Sequence, residues 1–211
     1  DSAMHPVVVF SLIISLSISS FAVPTPSTST VLIVNDLTTS FVSSSDADSK
    51  TARSVVCPGG TYPEASNEFD FSNDIVQAIS SNFSVRFAYY PYTGSDDPIS
   101  YDTTTKENFV SFGNSFIMKL CLGGPEQNNL SSFVSTQLTN YQDNVDVLVL
   151  FTAAPAEQIE ASLPINISNI HNVIVLGLNG TDASTYYPDS FIALNDFSNA
   201  EAVAILIDSF L

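Results

Sequence analysis

The sequence has 211 residues, 45% of them hydrophobic and only 13% charged, with 5 basic against 22 acidic side chains and a net charge of −17. That length supports one well-buried domain. The cations Lys50, Arg53, Arg86, Lys106 and Lys119 are too few and too scattered to neutralise phosphates, which excludes nucleic acid and anionic membrane surfaces as partners.

Met4 opens a stretch with the marks of a secretory leader: an apolar run from Val7 to Leu16, then small residues ending Ser20-Phe21-Ala22. Residues 1–22 are therefore expected to be a leader, cleaved after Ala22, whose run is too short for a stable membrane span. Retained instead, the same β-branched segment offers Val7, Val9, Leu12 and Ile14 as a strand that joins a neighbouring subunit. Residues 23–30 form a Pro/Ser/Thr linker.

The domain proper is expected over residues 31–211. Val31-Leu32-Ile33-Val34 is a continuous apolar run, as in a strand covered on both faces. Residues 42–66 are polar and aperiodic and read as a long loop containing Cys57. A helix follows with Phe71, Ile75 and Ile79 on one face and Asp70 or Ser72 as its cap. Phe83, Val85, Phe87 and Tyr89 alternate as a strand, and a short edge strand is expected around Ile99 to Tyr101.

Phe109, Phe112, Phe116 and Leu120 recur at helical spacing, as do Leu130, Phe133, Leu138 and Tyr141. Residues 145–151, apolar but for Asp146, form the second such strand, followed by a short helix that starts at Pro155 and carries Ile159 and Leu163. Further strands are expected at residues 173–178 and 191–194. Ser198-Asn199-Ala200-Glu201 reads as a capping box opening a last helix with Val203, Leu206, Ile207 and Phe210 on its apolar face.

Buried strands separated by amphipathic helices imply an α/β fold: a doubly wound, mostly parallel sheet between helices on both faces, a three-layer sandwich. Cys57 and Cys121 suit one disulfide in an oxidising compartment. Four sequons, at Asn82, Asn129, Asn166 and Asn179, agree with secretion and N-glycosylation.

In open α/β sheets, ligands sit beyond the carboxyl ends of the strands. After the first strand stand Asp36, Thr38 and Ser40, one carboxylate and two hydroxyls in a single loop, the oxygen ligation that hard cations take. This strand followed by Asp36-x-Thr38-x-Ser40 resembles the metal-ion-dependent adhesion site of von Willebrand factor A domains, written Asp-x-Ser-x-Ser in that family. The order of elements from Val31 to Leu211 is similar too. The resemblance implies Mg²⁺ or Ca²⁺ at Asp36, Thr38 and Ser40. The sequence departs from the family where Pro125 follows Gly123-Gly124 in place of a Thr, and where Ala153 replaces an Asp after the central strand.

Catalytic machinery is not visible. His5 lies in the leader and His171 at the start of an apolar strand, where it reads as structural. No Gly-x-Ser-x-Gly elbow or dinucleotide fingerprint occurs, and Cys57-Pro58-Gly59-Gly60 and Leu122-Gly123-Gly124-Pro125 lack the Lys of a phosphate loop. Asp96-Asp97 and Asp70 with Asp74 read as a turn and a helix start rather than a glycosidase pair. Tyr89-Tyr90-Pro91-Tyr92 is an aromatic run at the end of a strand. The function expected is a non-enzymatic, secreted adhesion or matrix-type domain that binds an extracellular protein or glycan. The alternative is a structural subunit that joins other copies of itself into a filament through its apolar N-terminal strand.

Overall fold

The computed structural model describes residues 28–36, 56–57, 60–61, 63–90, 102–109 and 130–211. The leader, the expected subunit-joining strand at Val7, Val9, Leu12 and Ile14, and the expected helix residues Phe112, Phe116 and Leu120 lie outside these residues.

The first strand, β1 (Ser29–Asp36), begins two residues ahead of its apolar run, inside the expected linker. A two-residue ribbon, β2 (Val56–Cys57) against β3 (Gly60–Thr61), falls within the expected long loop. Helix α1 (Pro63–Ala78) then starts well before the position its apolar face indicates, with Pro63 where its missing N–H costs nothing. Asp70, Ser72 and Asp74 are therefore interior helix residues, not caps or a helix start.

Strand β4 (Phe83–Tyr90) follows, then β5 (Asp102–Thr105), a few residues beyond the expected edge strand, and a 3₁₀ turn at Lys106–Asn108. Helix α2 opens at Leu130–Ser132 and continues as a π-helix, Phe133–Leu138. Strand β6 (Val145–Thr152) leads to helix α3 (Ala156–Ser162), with Pro155 as its N-cap rather than its first residue. Strand β7 (Ile170–Gly177) starts three residues earlier than its apolar run and ends one residue sooner.

Strand β8 (Phe191–Ala193) and helix α4 (Ala200–Asp208) complete the domain. The capping box does not form. Asn199 is the N-cap and makes no side-chain cap bond, because Asp196 captures Ser198 through both its amide and its hydroxyl.

Six strands make one sheet in the order β5-β4-β1-β6-β7-β8. The pairings β4 with β1, β1 with β6, β6 with β7 and β7 with β8 are parallel, and β5 is an antiparallel edge. Leaving the small ribbon aside, the strands occur along the chain in the doubly wound order 3-2-1-4-5-6. The chain reverses its direction of winding between β1 and β6, so the crevice of the fold opens there.

Alternate residues of each strand serve opposite faces. Val31, Ile33, Val147, Val149, Phe151, Ile174 and Leu176 pack with Phe71 and Ile75 of α1, Ile79 just after it, and Val203 and Ile207 of α4. Leu32, Val34, Leu148, Leu150 and Val175 pack with Leu130 and Phe133 of α2 and Ile159 of α3. This is why the central strands read as unbroken apolar runs. Burying each such side chain stabilises the fold by about 1.5–3 kcal/mol relative to exposure.

An aromatic group fixes α1 on the sheet. Phe69 stacks on Phe109 at 5.4 Å and meets Phe87 edge-on at 5.9 Å, while Phe71 meets Phe151 edge-on at 6.2 Å. Asp208, at the end of α4, accepts the Ser80 amide at 2.9 Å and the Ser81 amide at 3.0 Å. Burial opposes the Asp208 charge, but these donors together outweigh it and hold the carboxyl at about 2.

At Gly177 the segment after β7 folds back so tightly that a Cβ would meet the Thr181 carbonyl oxygen at 2.3 Å and the Phe191 ring at 2.7 Å. Gly177→Ala is accordingly expected to lower stability by about 1–3 kcal/mol through overpacking, read as a shift of the urea midpoint. An unchanged midpoint would show that the segment does not lie against the strand.

Candidate functional site

Buried polar side chains concentrate at one place. Among the described residues, Asn35, Asp36, Glu68, Ser72 and Thr152 are each no more than 1% exposed, and only Ser162 lies apart from them. Asn35 and Asp36 end β1, Thr152 ends β6, and Glu68 and Ser72 stand one turn apart on α1. The group therefore sits at the carboxyl ends of the two central strands, at the switch point.

Glu68 Oε1 accepts the Asn35 side-chain amide at 2.7 Å and the Asp36 backbone amide at 3.0 Å. Ser72 Oγ donates to the Glu68 carbonyl at 3.0 Å and receives a second bond from Asn35 Nδ2 at 3.3 Å. On the other side, Asp36 Oδ2 accepts the Ala153 amide at 2.7 Å. The Thr152 hydroxyl accepts the Ala154 amide at 3.0 Å, and the Thr152 carbonyl accepts the Leu178 amide at 2.8 Å. Thr181 Oγ1 closes the series by donating to the Ala154 carbonyl at 3.0 Å. The carboxyl ends of β1, β6 and β7 are thus tied together by one run of bonds.

Burial pushes the Glu68 carboxyl well above the usual range, and the neighbouring Asp36 charge pushes it further. The bonds from Asn35 and the Asp36 amide work the other way without cancelling the shift. Two acceptor atoms in this group, Glu68 Oε2 and Asn35 Oδ1, are buried without a partner. A proton on Glu68 removes a buried charge and converts one of those acceptors into a donor.

The native state then binds one more proton than the unfolded chain above the unfolded Glu value of about 4.3, so this group lowers stability as pH rises from there. Glu68→Gln mimics the protonated acid. Its stability relative to wild type should rise steadily between acid and neutral pH and show no gain at pH 4 or below, as read by denaturant titration across pH. A difference that does not vary with pH would mean that Glu68 is ionised in the fold.

Beside this group lies a cleft of about 710 Å³, walled by residues 153–159, which run from the end of β6 into α3, and by residues 179–182 after β7. Its charged lining is acidic, from Glu157 and Asp182, both exposed. Ala153 belongs to both features, bonding Asp36 and forming the cleft wall. Asn179 and Gly180 turn the cleft rim through left-handed backbone, at φ 50° and 78°.

Of the residues expected to hold a cation, Asp36 is at the switch point, whereas Thr38 and Ser40 lie outside the described residues. The Asp36 carboxylate is fully buried and its Oδ2 accepts the Ala153 amide, and residue 153 presents an N–H where the resemblance implies an acid. Among the described residues, no three His, Cys, Asp or Glu side chains converge.

Cys57 lies in β2, and its expected disulfide partner Cys121 lies outside the described residues, as do Asn129 and Gly123 to Pro125. The sequon residues Asn82, Asn166 and Asn179 are exposed. Asn82 and Asn166 precede β4 and β7 at the amino ends of the strands, and Asn179 follows β7 on the cleft side. His171, within β7, is exposed rather than part of a buried strand face. Tyr89 and Tyr90 end β4, while Pro91 and Tyr92 lie outside the described residues.

Glu68 was missed because the polar residues before it read as loop. With α1 starting at Pro63, Glu68, Ser72, Ile75 and Ile79 share one buried stripe at helical spacing. An acid on that stripe is the signal the sequence carried.

No protein-family model matches the sequence, and no curated protein matches it either. Solved structures do resemble the fold. An aerotolerance-related membrane protein from Bacteroides fragilis aligns at a TM-score of 0.50 with 11% identity, over 86% of this chain and 98% of that one. The PilB minor pilin from Streptococcus sanguinis aligns at 0.50 with 12% identity, over 86% of this chain and 61% of that one. A von Willebrand factor type A structure from Catenulispora acidiphila aligns at 0.43 with 8% identity, over 86% and 42%.

The fold is a three-layer α/β sandwich with a doubly wound, Rossmann-like sheet. At these identities the likeness is one of fold alone. Among the described residues, no helix is long and apolar enough to cross a membrane.

Proposed function

We propose that this chain is a secreted, N-glycosylated interaction domain that binds an extracellular protein or glycan through the loops at the carboxyl ends of its strands, without catalysis. The observation that carries this reading is the cleft beside the switch point, placed where doubly wound folds take their ligands and within the size range of ligand sites. Exposed Asn82 and Asn166 would carry glycans at the amino ends of strands, away from the cleft, whereas a glycan on Asn179 would stand at the cleft rim and form part of the binding surface. The acidic lining and the net charge of −17 favour a partner surface that brings basic groups.

The test is secretion of the full chain from a eukaryotic host, followed by binding to immobilised extracellular-matrix proteins and glycans. Reversing the cleft charge with Glu157→Lys and Asp182→Lys together should weaken binding roughly tenfold or more, with only a small fall in Tm from the lost Asp182 bond to the Ser184 amide and the lost acid in the first turn of α3. Binding that ignores the double substitution would move the site elsewhere. Light scattering that finds a large assembly retaining residues 7–14, in place of a monomer starting near Val23, would transfer the function to the filament-subunit reading.

A further inference from the structure

We propose that the Ala153 amide does in this fold what a bound cation would do: with Asp36 it closes the crevice between the two central strands and sets the carboxyl-end loops without a metal ion. This concerns how the crevice is built and stands whether or not a partner is found.

The strand ladders carry the argument. On one flank, the pairing of β1 with β4 runs to the last residue, Asp36 opposite Tyr90. On the other, the pairing of β6 with β7 runs to Thr152 opposite Gly177. Between β1 and β6 it stops at Val34 opposite Leu150. The sheet therefore stays closed on both sides of the switch point and parts only at it. Beyond that last pair, a backbone amide leaving β6 has no strand partner, and a buried amide without one is costly.

Asp36 supplies the missing acceptor. Its Oδ2 lies 2.7 Å from the Ala153 nitrogen, and its side chain is fully buried. Its own amide is held by Glu68 Oε1 at 3.0 Å, so α1 fixes the base of the clamp while the carboxylate spans the gap. A charged acceptor on a neutral donor makes a stronger bond than a neutral pair does. A cation that drew Oδ2 away from the N–H would leave that amide unpaired and would face the positive end of its dipole. Closing the gap by a carboxylate and an N–H also needs one buried charge, where closing it by two acids would need a cation between them.

The inference turns on Asp36 acting as a hydrogen-bond acceptor, which its conservative variant separates from metal ligation. Thermal unfolding of the full chain, in EDTA and in millimolar Mg²⁺ or Ca²⁺, is compared for wild type, Asp36→Asn and Asp36→Ala. The wild-type Tm should be the same in chelator and in cation. Asp36→Asn keeps an oxygen for the Ala153 amide and should stay close to wild type, whereas Asp36→Ala orphans that amide and should fall by roughly 3–10 °C. A wild type that EDTA destabilises and cation restores overturns the proposal. So does an Asp36→Asn that falls as far as Asp36→Ala. Should Asp36→Ala fail to fold, the wild-type comparison and Asp36→Asn still decide.

Discussion

A doubly wound sheet has to part somewhere, because the chain leaves its first strand toward one edge and later returns to build toward the other. Here the parting falls beyond Val34 and Leu150, and the bond from the Ala153 amide to the Asp36 carboxylate spans it. The cleft depends on that bond, since Ala153 is also the first residue of its wall. Behind it, β7 is held by its ladder to β6 and by the bonds from Leu178 to Thr152 and from Thr181 to Ala154. Hydrophobic burial holds the layers together, but it is non-directional and cannot by itself choose where the loops stop. A few directed bonds at the crevice make that choice.

The clamp needs α1 in register, and aromatic packing supplies it. Phe69 and Phe71 lie two residues apart and reach Phe87, Phe109 and Phe151, which locks the rotation of the helix above the sheet. With that rotation fixed, Glu68 has nowhere to go but under the helix against Asn35 and Asp36. Keeping a carboxyl there costs stability at neutral pH, and such costs concentrate at functional sites. The site of this domain is therefore continuous with its core: the side chains that seat the helix also place the acid.

Much of this could be read in the sequence where one signal ruled. The runs at residues 31–34 and 145–151 read as strands covered on both sides, and a mostly parallel sheet followed from the helices between them. Boundaries were lost where polar residues belong to regular structure. The first turns of α1 hide in polar sequence. Strand β7 begins at Ile170 although His171 is exposed, because only its later half is fully buried. The capping box at Ser198 failed for a local reason, the nearer acceptor at Asp196. Asp36 stood out from its place after the first strand, but its bond to Ala153 was not legible, because a backbone amide leaves no mark in a sequence.

The most direct test of this account is hydrogen exchange at the Ala153 amide, followed by NMR on the folded chain. An amide that bonds a fully buried carboxylate across the crevice should exchange only when the whole domain opens, at the rate of the central amides of β1 and β6. Exchange as fast as that of the exposed residues at Asn179 and Gly180 would contradict it, and would leave the crevice to be held by something other than Asp36.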